Sequence, residues 1–120
     1  MRDVIEIDNL RLRCVIGFSQ HELKDKQDVV ISLRISADMH RAGQTDNPDD
    51  TFNYRTVTKA IIRHVEESNY KLIEALATAI ARICVIDHAA EWVEVRVHKP
   101  HALRFSDSVG VVIERTSDDF

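Results

Sequence analysis

No apolar run approaches the ~20 residues that a bilayer-spanning helix needs. The opening residues, Met1-Arg2-Asp3, lead straight into alternating sequence, without the apolar stretch of a secretion signal. There are only two cysteines, Cys14 and Cys84, each inside an apolar pattern, so they read as small core residues rather than a disulfide framework. Three glycines and two prolines leave no low-complexity segment, and no internal repeat is visible. Positive charge is not in excess either: 16 Lys and Arg against 20 Asp and Glu give a net charge of −4, without the basic stripe of a nucleic-acid surface. These absences argue against membrane and nucleic-acid partners and point to a cytoplasmic protein. What remains is ordinary for a globular chain, 44% hydrophobic and 30% charged, enough for one domain over residues 1–120 with a modest core.

Familiar catalytic patterns are missing too. There is no GxSxG elbow, no GxGxxG and no P-loop, so neither a serine-hydrolase site nor a Walker-type or dinucleotide site is indicated. His21, His40, His64, His88, His98 and His101 are many for this length, yet no two stand at i, i+4 on a helix. His98 and His101 flank a turn without a third ligand, so no metal is expected.

The periodicity is informative. Residues 4–17 alternate as a strand, with Ile5 and Ile7 on odd parity but Leu10, Leu12, Cys14 and Ile16 on even parity. A bulge at Asp8-Asn9 would keep both sets on the core face. Val29, Ile31, Leu33, Ile35 and Ala37 alternate cleanly and predict a second strand, hairpinned to the first, with a wet outer face. Residues 38–53 read as a loop. Tyr54, Val57, Ile61 and Val65 then follow helical spacing, with Asn53 as N-cap. Ile73, Leu76, Ala77, Ile80, Ile83 and Cys84 predict a second helix over residues 72–87, antiparallel to the first. Val93, Val95 and Val97 form the apolar face of a third strand, and residues 109–115 a fourth. The fold class is therefore α+β, ordered β-β-α-α-β-β, with two helices on one face of an antiparallel sheet. Four strands with open edges favour a symmetric oligomer.

Lys99 is the next position on the face of Val93, Val95 and Val97, just before Pro100. A lysine that continues a buried face loses water, and its pKa can fall into the range useful for proton exchange. The plainer alternative is a strand-end lysine in solvent. Three other polar residues are distinctive, and each also has a plain reading. Glu22 could be solvated, Tyr54 could be a core aromatic with its hydroxyl satisfied, and Glu74 could answer a helix dipole.

The stretch Asn53-Tyr54-Arg55-Thr56-Val57-Thr58-Lys59 resembles the dihydroneopterin aldolase superfamily. So do His64-Val65-Glu66, Leu72-Ile73-Glu74-Ala75-Leu76, Ile16-Gly17 followed by Glu22, and Val97-His98-Lys99-Pro100. The resemblance covers essentially the whole chain in order. It implies the tunnelling fold, with four β-β-α-α-β-β subunits around a β-barrel and often two rings stacked, hence a homotetramer or homo-octamer with sites between subunits. It also implies a dihydropterin substrate whose own C6=N5 imine is the electron sink, so that no cofactor is needed. Lys99 would be the proton shuttle, Tyr54 would help reprotonate the enamine, and Glu22 would hold the side-chain hydroxyls. Glu74 would take the pterin amide edge with two parallel hydrogen bonds, with Ile73 beside it. Within the superfamily, residues 53–59 with His101-Ala102-Leu103-Arg104 and Ser108-Val109 resemble the dihydroneopterin triphosphate 2′-epimerases, whereas residues 109–115 are more like the aldolases. Arg55 and Arg104 could meet a substrate phosphate or form ion pairs between subunits. The expectation is an aldolase/epimerase of folate biosynthesis, with the triphosphate epimerase as alternative and a non-catalytic pterin- or purine-binding protein as the alternative of another class.

Overall fold

The computed structural model describes residues 2–20, 22–23 and 25–120, so His21 and the reading of it lie outside the described residues. Strands β1 (Val4–Cys14), β2 (Gln27–Ser36), β3 (Val93–Lys99) and β4 (Val109–Arg115) form one antiparallel sheet in the order β1-β2-β3-β4. The parity switch in β1 is a bulge: Ile7 pairs with Leu33 but Leu10 with Ile31, so three steps on β1 oppose two on β2. Asn9 absorbs the extra residue in the left-handed region at φ 55°, its N–H bonded to Ser32 Oγ at 3.0 Å.

The loop reading of residues 38–53 needs correction. It contains a short helix, α1 (His40–Thr45), and a 3₁₀ turn (Pro48–Asp50). Neither buries a residue, and both are held by polar contacts: Arg41 with Asp50 at 3.1 Å, and Thr45 Oγ1 donating to Asp50 at 2.7 Å. A helix without an apolar face leaves no period to read.

The two longer helices follow their apolar spacing. In α2 (Tyr54–Glu66), Asn53 caps the start by accepting from the N–H groups of Arg55 and Thr56, both at 3.1 Å. Helix α3 (Ile73–Arg82) widens into a π turn at Ile83–Asp87, closed by His88 N–H on the Ile83 carbonyl at 3.1 Å. The π turn carries three consecutive buried residues, Ile83, Cys84 and Val85. Val57, Ile61 and Val65 of α2 and Leu76, Ala77, Ile80 and Ala81 of α3 pack on the sheet residues Val29, Ile31, Leu33, Val93, Val95 and Val97. Full burial of an aliphatic side chain of this size contributes about 1.5–3 kcal/mol.

The opposite face carries polar rungs. Glu6, Arg34, Glu94 and Glu114 lie across one of them, with Arg34 near both Glu6 and Glu94 at 3.8 Å. Strands β1 and β4 end the sheet, so each offers unpaired backbone groups along one side. Among the described residues no helix is long and apolar enough to cross a membrane.

Candidate active site

Parity carries Lys99 where the sequence predicts. Val93, Val95 and Val97 are fully buried, and the Lys99 side chain, next on that face, is only 12% exposed. It does not end in solvent. Its Nζ donates to Glu22 Oε2 at 2.7 Å, a contact spanning 77 residues of sequence. The apolar face strips water from the ammonium, and a carboxylate takes its place.

Glu22 is therefore not a solvated loop residue. Besides Lys99, its carboxylate accepts from Gln27 Nε2 at 3.0 Å, Ser19 Oγ at 2.9 Å and Ser19 N–H at 3.4 Å. The bond from the Lys99 ammonium, then that from Gln27, and to a smaller extent those from Ser19, hold its pKa down at about 2, against 4.5 ordinarily. Gln27 also donates to the Ile16 carbonyl at 2.6 Å, which ties the carboxylate to the end of the first hairpin strand. Gly17 gives the carboxylate its space. It sits at φ 126°, and a Cβ there would stand 2.3 Å from Glu22 Cδ.

Glu22 and Lys99 line a cleft of about 170 Å³ together with Gly17, Phe18 and Val109, and the start of α3 lines it with Ile73 and Glu74. Glu74 lies in the first turn of α3 and is exposed, with no side-chain partner among the described residues. Ile73 is half-buried against the core beside it. The Gly17 N–H donates to the Tyr70 carbonyl at 3.1 Å, which joins the Glu22 wall to the α2–α3 connection. The structure thus brings Glu22, Ile73, Glu74 and Lys99 around one opening.

Tyr54 is elsewhere. It is 51% exposed, so it is not a core aromatic, and it lines a separate cleft with Glu6, Ile7, Arg55, Thr58 and Lys59. The two clefts share no residue. Arg104 is exposed, its guanidinium 5.5 Å from the Phe105 ring centre, and it lines neither cleft. Among the described residues no three His, Cys, Asp or Glu side chains are grouped to hold a metal ion.

The family described as FolB, dihydroneopterin aldolase, matches residues 5–114. The chain belongs to the dihydroneopterin aldolase family. Among curated relatives, the dihydroneopterin triphosphate 2′-epimerase of Pseudomonas aeruginosa is 42% identical over 91% of this chain and 89% of its own. The epimerase of Escherichia coli is 40% identical over 92% of each. The Escherichia coli dihydroneopterin aldolase solved in complex with neopterin superposes with a TM-score of 0.90, at 27% identity over 94% of this chain and 98% of that one. A Vibrio cholerae protein assigned as dihydroneopterin aldolase (FolB) reaches 0.94, at 31% identity over 97% and 98%. The subunit fold is accordingly the tunnelling fold of the dihydroneopterin aldolases.

Sequence reasoning missed the residues that hold Glu22: Gln27 and Ser19, and the reason for glycine at position 17. Gln27 opens β2 and reads as an ordinary polar strand residue. Its role depends on the closing of the hairpin, and no local pattern reports that.

Proposed function

We propose that the protein is a dihydroneopterin aldolase/epimerase of folate biosynthesis. The observation that carries this reading is the buried Lys99–Glu22 contact at one end of a cleft whose other wall presents the unpartnered Glu74. A ligand-binding protein of this fold would use Glu74 for recognition. It would have no use for a lysine desolvated against a carboxylate in the same cleft.

Glu74 would accept two parallel hydrogen bonds from the amide edge of a 7,8-dihydropterin, with Ile73 packing beside the ring. The C6 side chain would then run toward Glu22, whose carboxylate stays charged at all working pH values and accepts from its hydroxyls as the longest of its four protein bonds, 3.4 Å from Ser19 N–H, gives way. Lys99, once its ammonium has released a proton to water, takes the 2′-hydroxyl proton through that water. The C1′–C2′ bond breaks, its electron pair moves into the C6=N5 imine, and glycolaldehyde forms. Protonation of the resulting enamine at C1′ gives 6-hydroxymethyl-7,8-dihydropterin. Re-addition of the turned aldehyde instead gives the 2′ epimer. The ring system of the substrate accepts the electrons, so the residues need only move protons and hold the chain.

The cleft supports a site completed by a second copy. At about 170 Å³ it is smaller than the ~300–1,000 Å³ usual for small-molecule sites. Tyr54, the fourth polar residue of the mechanism, stands half-exposed in a different cleft next to β1. Pairing β4 of one chain with β1 of the next is a head-to-tail contact, which closes into a ring of four chains or a multiple. Tyr54 of a neighbouring chain then serves the enamine protonation.

A triphosphate 2′-epimerase is the second reading, favoured by the 40–42% identity to such enzymes against 27% to the Escherichia coli aldolase. Incubation with dihydroneopterin and with its triphosphate, with epimer, hydroxymethyl product and glycolaldehyde resolved by chromatography, tests both. Release of glycolaldehyde supports the first reading, and epimer alone from the triphosphate supports the second. Tight pterin binding without turnover of either substrate would leave only a binding protein.

A further inference from the structure

The open face of the sheet carries a pocket that the proposed chemistry does not use. It measures about 290 Å³ and is lined by Arg11, Arg96, His98, Ser32, Ser108 and Asn9, with Val30 and Pro100 between them. No carboxylate lines it, although the chain has a net charge of −4. The register explains the composition. Arg11 pairs with Val30, and Val30 with His98, on one rung; Ser32 pairs with Arg96 on the next. The acidic residues Glu6, Glu94 and Glu114 fall on the rung beyond. Side chains on alternate rungs of one face project the same way, so Arg11 and His98 stand two rungs from the acidic set, with Arg96 on the rung between and in contact with Glu94.

The pocket is also organised. His98 Nδ1 meets Ser108 Oγ at 3.2 Å, which orients the ring and leaves Nε2 for a ligand. Gly110, across from His98, makes room for that ring: a Cβ there would lie 2.4 Å from His98 Nδ1. Arg96 is steadied by Glu94, whose Oε1 accepts from its Nε at 2.9 Å, and this leaves its terminal nitrogens to act as a fork. Arg11 makes no ion pair among the described residues. Two guanidinium forks, an imidazole and two hydroxyls around such a volume match a chain of phosphates better than a single carboxylate or an apolar group.

We propose that this pocket binds a phosphate chain, of the di- or triphosphate class. The chain has two sources with the same chemistry: the tail of a phosphorylated dihydropterin, or a free polyphosphate. The first rests on the function proposed above and has a geometric basis. Lys99 lies between His98 and Pro100, and Val109 follows Ser108, so the pocket and the Lys99 cleft adjoin the same end of β3 and β4, on opposite faces. Helices cover the other face, so a ring closed through β1 and β4 would turn this one toward the central opening and leave it in water.

Arg11→Gln is the informative variant, because Arg11 is exposed and its loss breaks no ion pair in the described structure. The first readout is calorimetric titration of inorganic triphosphate into the wild-type protein and the variant, at two salt concentrations. Saturable binding that weakens about tenfold or more in Arg11→Gln supports the pocket. Equal affinity in both proteins, or no binding by the wild type at low salt, overturns it. The second readout separates the sources. If the tail of the substrate occupies the pocket, Arg11→Gln lowers kcat/KM about tenfold or more for dihydroneopterin triphosphate and leaves turnover of dihydroneopterin unchanged. If the ligand is a free polyphosphate, the titration changes and neither kcat/KM does. Absence of turnover with both substrates would defeat the proposed function and leave the titration still decisive for the pocket.

Discussion

The two ends of the Lys99 cleft differ in how much of their chemistry one chain completes. At the Lys99–Glu22 end, a carboxylate takes four hydrogen bonds, from Lys99, Gln27 and Ser19, and is backed by a glycine that no other residue could replace without displacing it. At the other end Glu74 stands exposed in the first turn of α3, with no side-chain partner among the described residues. The first end is preorganised before any ligand arrives, which is what proton transfer requires, because a misplaced acid or base loses most of its effect. The second end is left open, which suits recognition. A carboxylate already satisfied by the protein would gain little from a ligand amide.

Substitutions can break this contrast at either end. The largest effect is expected at Lys99. Lys99→Ala should lower turnover by about 10²–10⁴, the usual worth of a positioned proton-transfer group, while pterin binding changes much less. Cleavage and epimerisation should fall together, since both begin with scission of the same bond. Steady-state kinetics with ligand titration on one preparation separate the two ends. A mutant that keeps both activities would remove Lys99 from the mechanism.

Next in size is Glu74. Glu74→Gln keeps the shape but sets a donor against a donor, and should cost about 2–4 kcal/mol of pterin affinity, roughly 30- to 800-fold. Fluorescence titration reads this directly. Unchanged affinity would reduce Glu74 to a carboxylate answering the positive end of α3.

The smallest effect is on stability and concerns Glu22. Its folded pKa, about 2, lies below its ordinary 4.5. The linkage is therefore favourable above about pH 4.5 and is lost as pH falls through about 2. Urea unfolding across that window should show the wild type losing stability relative to Glu22→Gln, with a constant difference at higher pH. Parallel pH profiles for the two proteins would mean that the four hydrogen bonds do not favour the charged form.

The same contrast governs what the sequence made legible. Lys99 was readable because a strand has a period of two, so three buried valines place the fourth position of their face. The bulge at Asn9 was readable because a parity switch has few other causes, and the Asn53 cap because its chemistry is local. Helix α1 was not readable, since a helix held only by Arg41, Asp50 and Thr45 has no apolar stripe. Nor was the Lys99–Glu22 contact readable by itself, for a loop carboxylate meets a strand end only after both hairpins have packed. The family resemblance placed Tyr54 with Lys99, and within one chain the two sit in separate clefts. Spacing along a chain carries no information about which copy supplies a residue.

That last point is the centre of the proposal: the proton shuttle would belong to one chain and the tyrosine to its neighbour. Mixing two impaired variants tests it most directly. Lys99→Ala and Tyr54→Phe are unfolded together, refolded as a mixture, and assayed against each parent refolded alone. In a head-to-tail ring assembled at random, about one site in four receives an intact Lys99 from one chain and an intact Tyr54 from the next. Activity well above the sum of the parents, approaching a quarter of wild type, is the predicted result. A mixture no more active than the parents, with both variants shown to assemble together, would contradict the account and place both residues within a single chain's site.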